Sequence, residues 1–313
     1  LQMYVRTAPG EIPDYDDDQI EAEVAEAART WSDRLRAALI ASHGEEQGHG
    51  LFRVYADAFP LGYQDRFIAE EAVADIDKIE QSLVSQDLSL TLYRPFGTPD
   101  SRMRFKIFQL DRSIILSTVV PMLEDLGLRV VDEVPNVVRL GPAGNERIVM
   151  IHDFGLETRS GNGINIGAVR ERFQEAFLAV WNGRTESDRF NGLVIEGGLT
   201  CREVVVIRAY SKYLRQTGIA ISEAYMQQTM TRHPGLACAI IGLFSALFDP
   251  ARNGQAEAAA LRETLRTGLD AVASADEDRI IRRFINAVEA TLRTNYFQTT
   301  PAGEAKPYLA LKI

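Results

Sequence analysis

Gly161-Asn162-Gly163-Ile164-Asn165-Ile166-Gly167 is a glycine-rich loop ahead of a helical pattern, and its chemistry would be phosphate binding. A dinucleotide pyrophosphate needs G-x-G-x-x-G directly after a strand, with an acid about 20 residues later. Here the third glycine falls one residue late, and a polar segment separates the loop from the strand before it. The loop therefore reads as a turn, with Asn165 capping the next helix. His43, Glu45, Glu46 and His49 are metal-ligand types, but two histidines six apart leave a single helical face and lack zinc spacing. We read them as solvated charges in a glycine-rich loop. Asp14, Asp16, Asp17 and Asp18 lack the glycine and distal glutamate of a calcium loop and are placed to cap a helix. His152 and His233 show no partner in sequence from which a Ser-His-Asp or Cys-His arrangement follows, so each is assigned a buried structural role. The expectation is a chain with no catalytic residue, no cofactor site and no metal site of its own.

Basic residues form two patterns. Arg102, Arg104 and Lys106 alternate with Met103, Phe105 and Ile107, which puts the three cations on one strand face. That face suits an anion or a docking partner, against the plainer reading that the chain's own acids neutralise it. An RNA-binding sheet would need exposed aromatics for stacking, and only Phe108 shares this face. Arg202, Arg208, Lys212 and Arg215 punctuate one helical stretch; they read as interhelical ion pairs, with a nucleotide phosphate from another domain as the alternative.

These residues have to be positioned by a chain of 313 residues, about two domains' worth. Its 46% hydrophobic and 25% charged residues suit a globular core. The net charge of −10 disfavours nucleic acid, and no apolar run approaches the roughly 18 residues of a membrane span. Two cysteines, Cys201 and Cys238, both in apolar helical contexts, suit reduced thiols and a cytoplasmic location. No signal peptide is read at the start. Lys306 to Ile313 reads as a strand opening without its pairing partners, so we expect a piece excised from a longer protein.

Three patterns succeed one another. Residues 1–86 are helical, with Ile20, Val24, Ala27, Trp31 and Leu35, and later Phe67, Val73, Ile76, Ile79 and Leu83, at helical spacing. Residues 87–190 alternate like strands at Leu88–Leu92, Met103–Ile107, Leu128–Asp132, Val137–Leu140 and Arg147–His152, with helices over Ile114–Leu126 and Ile166–Trp181. The order β-β-α-β-β-α predicts an α+β fold: a ferredoxin-like α/β plait with a four-stranded antiparallel sheet, flanked by N- and C-terminal helical regions. Residues 191–298 are helical again, in five runs ending with Glu277–Tyr296, and 299–313 open a further domain.

The stretch Asp111-Arg112-Ser113-Ile114-Ile115-Leu116, then a helix to Leu126, Gly127 and a strand from Leu128, resembles the strand–loop–helix–strand core of ACT domains, which commonly bind amino acids as regulators. The resemblance makes Asp111, Arg112 and Ser113 an effector loop, since free N–H groups at a helix start hold a carboxylate. Ile114 replaces the family's loop glycine, and its branched side chain fills space beside the backbone. The Leu88–Tyr93 strand comes first here and takes the place of the last strand of the β-α-β-β-α-β order. Across nearly the whole chain, Ala58-Phe59-Pro60 through Ile76, Tyr93-Arg94-Pro95 through Phe108, Arg202-Glu203 through Gly218, Ala290 through Tyr296 and Lys306-Pro307-Tyr308 resemble the large NAD-specific bacterial glutamate dehydrogenases.

That resemblance implies a regulatory and structural region ahead of catalytic domains that convert glutamate and NAD to 2-oxoglutarate, ammonia and NADH. NAD belongs to the parent enzyme, with no cofactor in this region. The implied partners are the rest of the same polypeptide, further copies in a homo-oligomer and an amino-acid effector, without nucleic acid or membrane. The alternatives are a stand-alone ACT-type amino-acid sensor and, more weakly, an RNA-binding plait.

Overall fold

A computed structural model of the chain describes residues 16–142, 146–252 and 254–313. They divide into two compact units. One comprises the described residues up to Ser89 with Phe108–Arg112 and Asn136–Ile151; the other comprises Leu90–Ile107, Ser113–Pro135 and His152–Ile313.

In the first unit, α1 (Asp17–Ala27) starts at Asp16, whose carboxylate accepts from the amides of Asp18 and Gln19 as expected of a cap, while Asp14 of that acidic run lies outside the described residues. The helical pattern read through Leu35 breaks at Thr30, where a capping box with Asp33 begins α2 (Trp31–His43). The box satisfies two amides at once, so a new helix start outweighs continuation. Residues 45–49, expected as a solvated loop, belong instead to α3 (Glu45–Tyr55), with Gly44 as the joint. A Cβ on Gly48 would lie 2.6 Å from the Ile40 Cα, so this glycine lets α2 and α3 touch backbone to backbone. After α4 (Leu61–Gln64) and α5 (Ala69–Ser85), aromatic rings complete the core. Phe59 and Tyr63 lie 4.5 Å apart, and Tyr63 and Phe67 4.7 Å. Their polar tips are satisfied: Tyr63 donates to Asp75 at 2.6 Å, and Trp31 donates to the Phe67 carbonyl at 2.9 Å.

The plait follows as β1 (Ser89–Tyr93), β2 (Arg102–Leu110), α6 (Leu116–Asp125), β3 (Leu128–Leu140), β4 (Arg147–Thr158) and α7 (Ile166–Trp181). Its antiparallel sheet has the order β1-β2-β4-β3. The fold is therefore the expected α+β plait, and β1 lies at an edge beside β2, where the last strand of the β-α-β-β-α-β order would lie. Residues of β2, β3 and β4 fall in both units. The two short strands read within residues 128–140 are one continuous strand. In the second unit α7 covers the apolar side of β2, with Phe105 edge-on to Phe173 and Phe177 at 5.0 and 5.1 Å. Arg170 and Gln174 of α7 bond the carbonyls of Leu92 and Leu90, tying β1 to the helix.

Helices complete this unit: α8 (Leu193–Glu196) after a 3-10 turn at Arg189–Gly192, then α9 (Cys201–Gln216), α10 (Glu223–Arg232), α11 (Pro234–Phe248), α12 (Gln255–Asp270) and α13 (Ala275–Ala290). Among the described residues no single helix is long and apolar enough to cross a membrane; α11 is apolar because Leu236, Ile240, Leu243 and Phe244 are core. The last helical run stops at Ala290 rather than Tyr296. Beyond it β5 (Arg293–Thr294) pairs antiparallel with β6 (Leu311–Lys312), so the terminal strand has its partner within the chain.

Candidate functional site

Asp111 adopts a left-handed backbone, φ 54°, at the end of β2. It is held there from three sides: its amide donates to the Ile148 carbonyl at 2.8 Å, and its carboxylate accepts from Arg147 at 2.9 Å and from the Ile148 amide at 3.2 Å. The Arg147 bond, then the Ile148 amide, hold this carboxyl below the usual aspartate range. Asp111 and Arg112 belong to the first unit, Ser113 to the second, and both Arg112 and Ser113 are exposed.

In the second unit His152 of β4 occupies the start of the α6 loop. Its Nε2 accepts from the Ile114 amide at 3.4 Å and lies 3.3 Å from the Ser113 Oγ. Its Nδ1 lies 2.8 Å from Glu133 Oε1 on β3. Because Nε2 accepts an amide proton, Nδ1 carries the ring proton and donates to Glu133. The sequence showed no partner for His152; the antiparallel pairing of β3 and β4 supplies one. Serine, imidazole and carboxylate in a row are the parts of a nucleophilic relay, yet the nitrogen that would take the serine proton is shared with an amide. The arrangement closes the loop. Ile114, the residue in the glycine position, is 7% exposed and packs inward.

The basic strand face meets the chain's own acids. Arg102 Nε lies 2.5 Å from Glu157. Arg104 Nε bonds both Asp153 oxygens, at 2.9 and 3.0 Å, and its Nη2 reaches Asp132 at 3.1 Å. Tyr93 donates to Asp153 at 3.2 Å, and Lys106, itself buried, stands 5.1 Å over the Tyr93 ring. Asp153 is fully buried; burial pushes its carboxyl up, opposed by Arg104. A Cβ on the neighbouring Gly155 would fall 2.6 Å from Asp132, so this face is closely fitted. Phe108 is wholly buried and offers no ring for stacking a base.

Of the helical cations, Arg208, Lys212 and Arg215 likewise meet acids, while Arg202 meets an aromatic ring. Arg208, 4% exposed, bonds Asp188 at 2.5 Å and Asn191 at 2.7 Å. Lys212 bonds Glu186, Arg215 bonds Glu223 at 2.7 Å, and Arg202 stacks 4.6 Å over Tyr296. His233 also finds a carboxylate, Glu277 at 2.9 Å. Cys201 and Cys238 are free thiols, and burial pushes both up, away from the reactive thiolate.

The glycine-rich loop does not fit a pyrophosphate. Asn165 caps α7 by accepting from the Ala168 amide, as expected. A Cβ on Gly163 would lie 2.6 Å from the Cβ of Asp100, so this glycine lets the loop pack closely on an acid. The Ile164 amide is already donated to the Asp100 carbonyl, and the Ile164 carbonyl accepts from Arg94. Among the described residues no three His, Cys, Asp or Glu side chains are grouped to hold a metal; His43 bonds Asp77 at 2.8 Å instead.

Comparison with known proteins adds the family context. Residues 38–81 match the family described as glutamate dehydrogenase, helical motif 2; residues 87–169 match its ACT3 domain; residues 185–250 match its helical motif 3. Residues 264–313 match the bacterial NAD-glutamate dehydrogenase catalytic domain, beginning inside α12. Three curated proteins similar to the chain are named NAD-specific glutamate dehydrogenase. That of Halomonas elongata is 38% identical over 306 residues, that of Pseudomonas aeruginosa 32% over 318, and that of Mycobacterium tuberculosis 36% over 307. The alignments take in 97%, 100% and 94% of this chain but 19%, 19% and 18% of those relatives. The chain spans about a fifth of their length.

Proposed function

Because the chain belongs to the NAD-specific glutamate dehydrogenase family, we propose that it forms a regulatory and supporting region of such an enzyme and carries no chemistry of its own. The whole protein would oxidise L-glutamate to 2-oxoglutarate and ammonia with NAD as hydride acceptor. The observation that carries this reading is the order of the matches: helical motif 2, the ACT3 plait and helical motif 3 all precede the match to the catalytic domain. The neutralised Arg104 supports a packing role, since it divides its charge between the buried Asp153 and Asp132. In this reading NAD is held outside this chain, which agrees with the close packing of the Gly161–Gly167 loop on Asp100 at Gly163. Fluorescence titration of the chain with NAD, read from Trp31 and Trp181, is expected to show no saturable change. Saturable quenching that displaced with NADH would remove the proposal.

The edge position of β3 in the sheet supports assembly into homo-oligomers, because a sheet can extend from its edge strand into a second copy. Light scattering of the purified chain tests this; a monomer at all concentrations contradicts it. The stand-alone sensor reading has less support. An effector carboxylate at Asp111–Ser113 needs free amides, and the Ile114 amide is engaged by His152.

A further inference from the structure

Arg102 opens β2, Arg129 is the second residue of β3, and Arg159 follows the last residue of β4. They are far apart in sequence, but in an antiparallel sheet of order β2-β4-β3 these three points lie at one end. They line a cleft of about 830 Å³ together with Glu124, Glu157 and Ser160. Three cations against two acids make this cleft locally positive on a chain of net charge −10.

The cations are only partly spent. Glu157, its side chain 12% exposed, receives Arg102 on one oxygen and Arg129 on the other. One carboxylate is shared between two guanidinium groups, each with five N–H donors. Arg159 donates Nε to the Leu128 carbonyl at 3.3 Å and meets Glu124 only at 3.5 Å. The side chains of Arg102, Arg129 and Arg159 are 59%, 69% and 49% exposed. Ser160 accepts from the Asn162 amide, which leaves its own proton to donate.

The geometry points to a binding site for a small polyanion with two oxyanion groups, one taken by Arg159 and the other by the Arg102–Arg129 pair. Carboxylate and phosphoryl groups share this recognition, since guanidinium forks bind both in bidentate fashion. The site is independent of the Asp111–Ser113 loop and of the proposal that the region supports a dehydrogenase.

Calorimetric titration of the chain at low ionic strength tests it, with glutarate in one arm and pyrophosphate in the other. Saturable heat with glutarate alone assigns a dicarboxylate, and with pyrophosphate alone a phosphoryl ligand; heat in both arms supports the shared chemistry. Arg159→Ala, with an unchanged far-UV spectrum, should weaken binding by about tenfold or more, the loss of one charge-assisted contact. If that variant does not fold, Arg129→Ala is measured in its place with the same expectation. No saturable heat in either arm, or an affinity untouched by the substitution, overturns the site.

Discussion

The Ile114 amide points at the Nε2 of His152, 3.4 Å away, while the other nitrogen of the same ring lies 2.8 Å from Glu133. One buried imidazole thus fastens the start of α6 to β3 and fixes its own tautomer. His152→Ala leaves the amide and the carboxylate without this partner. The expected loss is about 1–3 kcal/mol of stability, read as a lower urea midpoint, together with faster hydrogen exchange at Ile114. Unchanged exchange there would contradict the role assigned to the ring.

Arg104 is the counter-ion of a fully buried carboxylate. Arg104→Ala should cost about 3–5 kcal/mol at neutral pH, because Asp153 is left charged without it. Burial raises the Asp153 carboxyl above 3.8 in the folded protein. Between 3.8 and that raised value the folded state binds more protons than the unfolded one, so the carboxyl's penalty falls as pH falls through the window. The deficit of Arg104→Ala should therefore shrink on acidification toward that range. A deficit constant with pH contradicts it.

Glu277 behaves oppositely. Its hydrogen bond to His233, and then the charge of Arg232, pull its carboxyl below the ordinary 4.5. Its contribution is complete above about 4.5 and is lost as pH falls through the lowered folded value. Glu277→Gln should lower thermal stability at pH 7 by about 1–3 kcal/mol and flatten the acid limb below pH 4.5. An unchanged acid limb argues against the coupling.

Gly48→Ala places a methyl group against the Ile40 backbone. The helices must part, and overpacking of this kind costs about 1–3 kcal/mol. Differential scanning calorimetry should show a lower transition; an unchanged or higher one would mean that α2 and α3 separate freely.

Much of this fold is written in local periodicity. α7 begins and ends where Val169, Phe173 and Phe177 predict, and the β-β-α-β-β-α order gives the plait. The misreadings have physical causes. Gly48 and Gly50 suggest a loop, but Gly48 serves a close helix contact. Thr30 and Asp33 interrupt an apolar spacing that continues past them. Arg293 and Thr294 pair with a strand some eighteen residues on, which no local pattern reveals. The partners of His152 and of Arg102, Arg104 and Arg159 come from other strands and loops, so their roles emerge only once the sheet order is known.

Under the proposed function, hydride transfer is housed outside this chain. Absorbance at 340 nm, followed after mixing the purified chain with L-glutamate and NAD, tests it most directly. The account predicts a trace indistinguishable from the protein-free control. A steady rise in NADH, proportional to the amount of chain added, would contradict it.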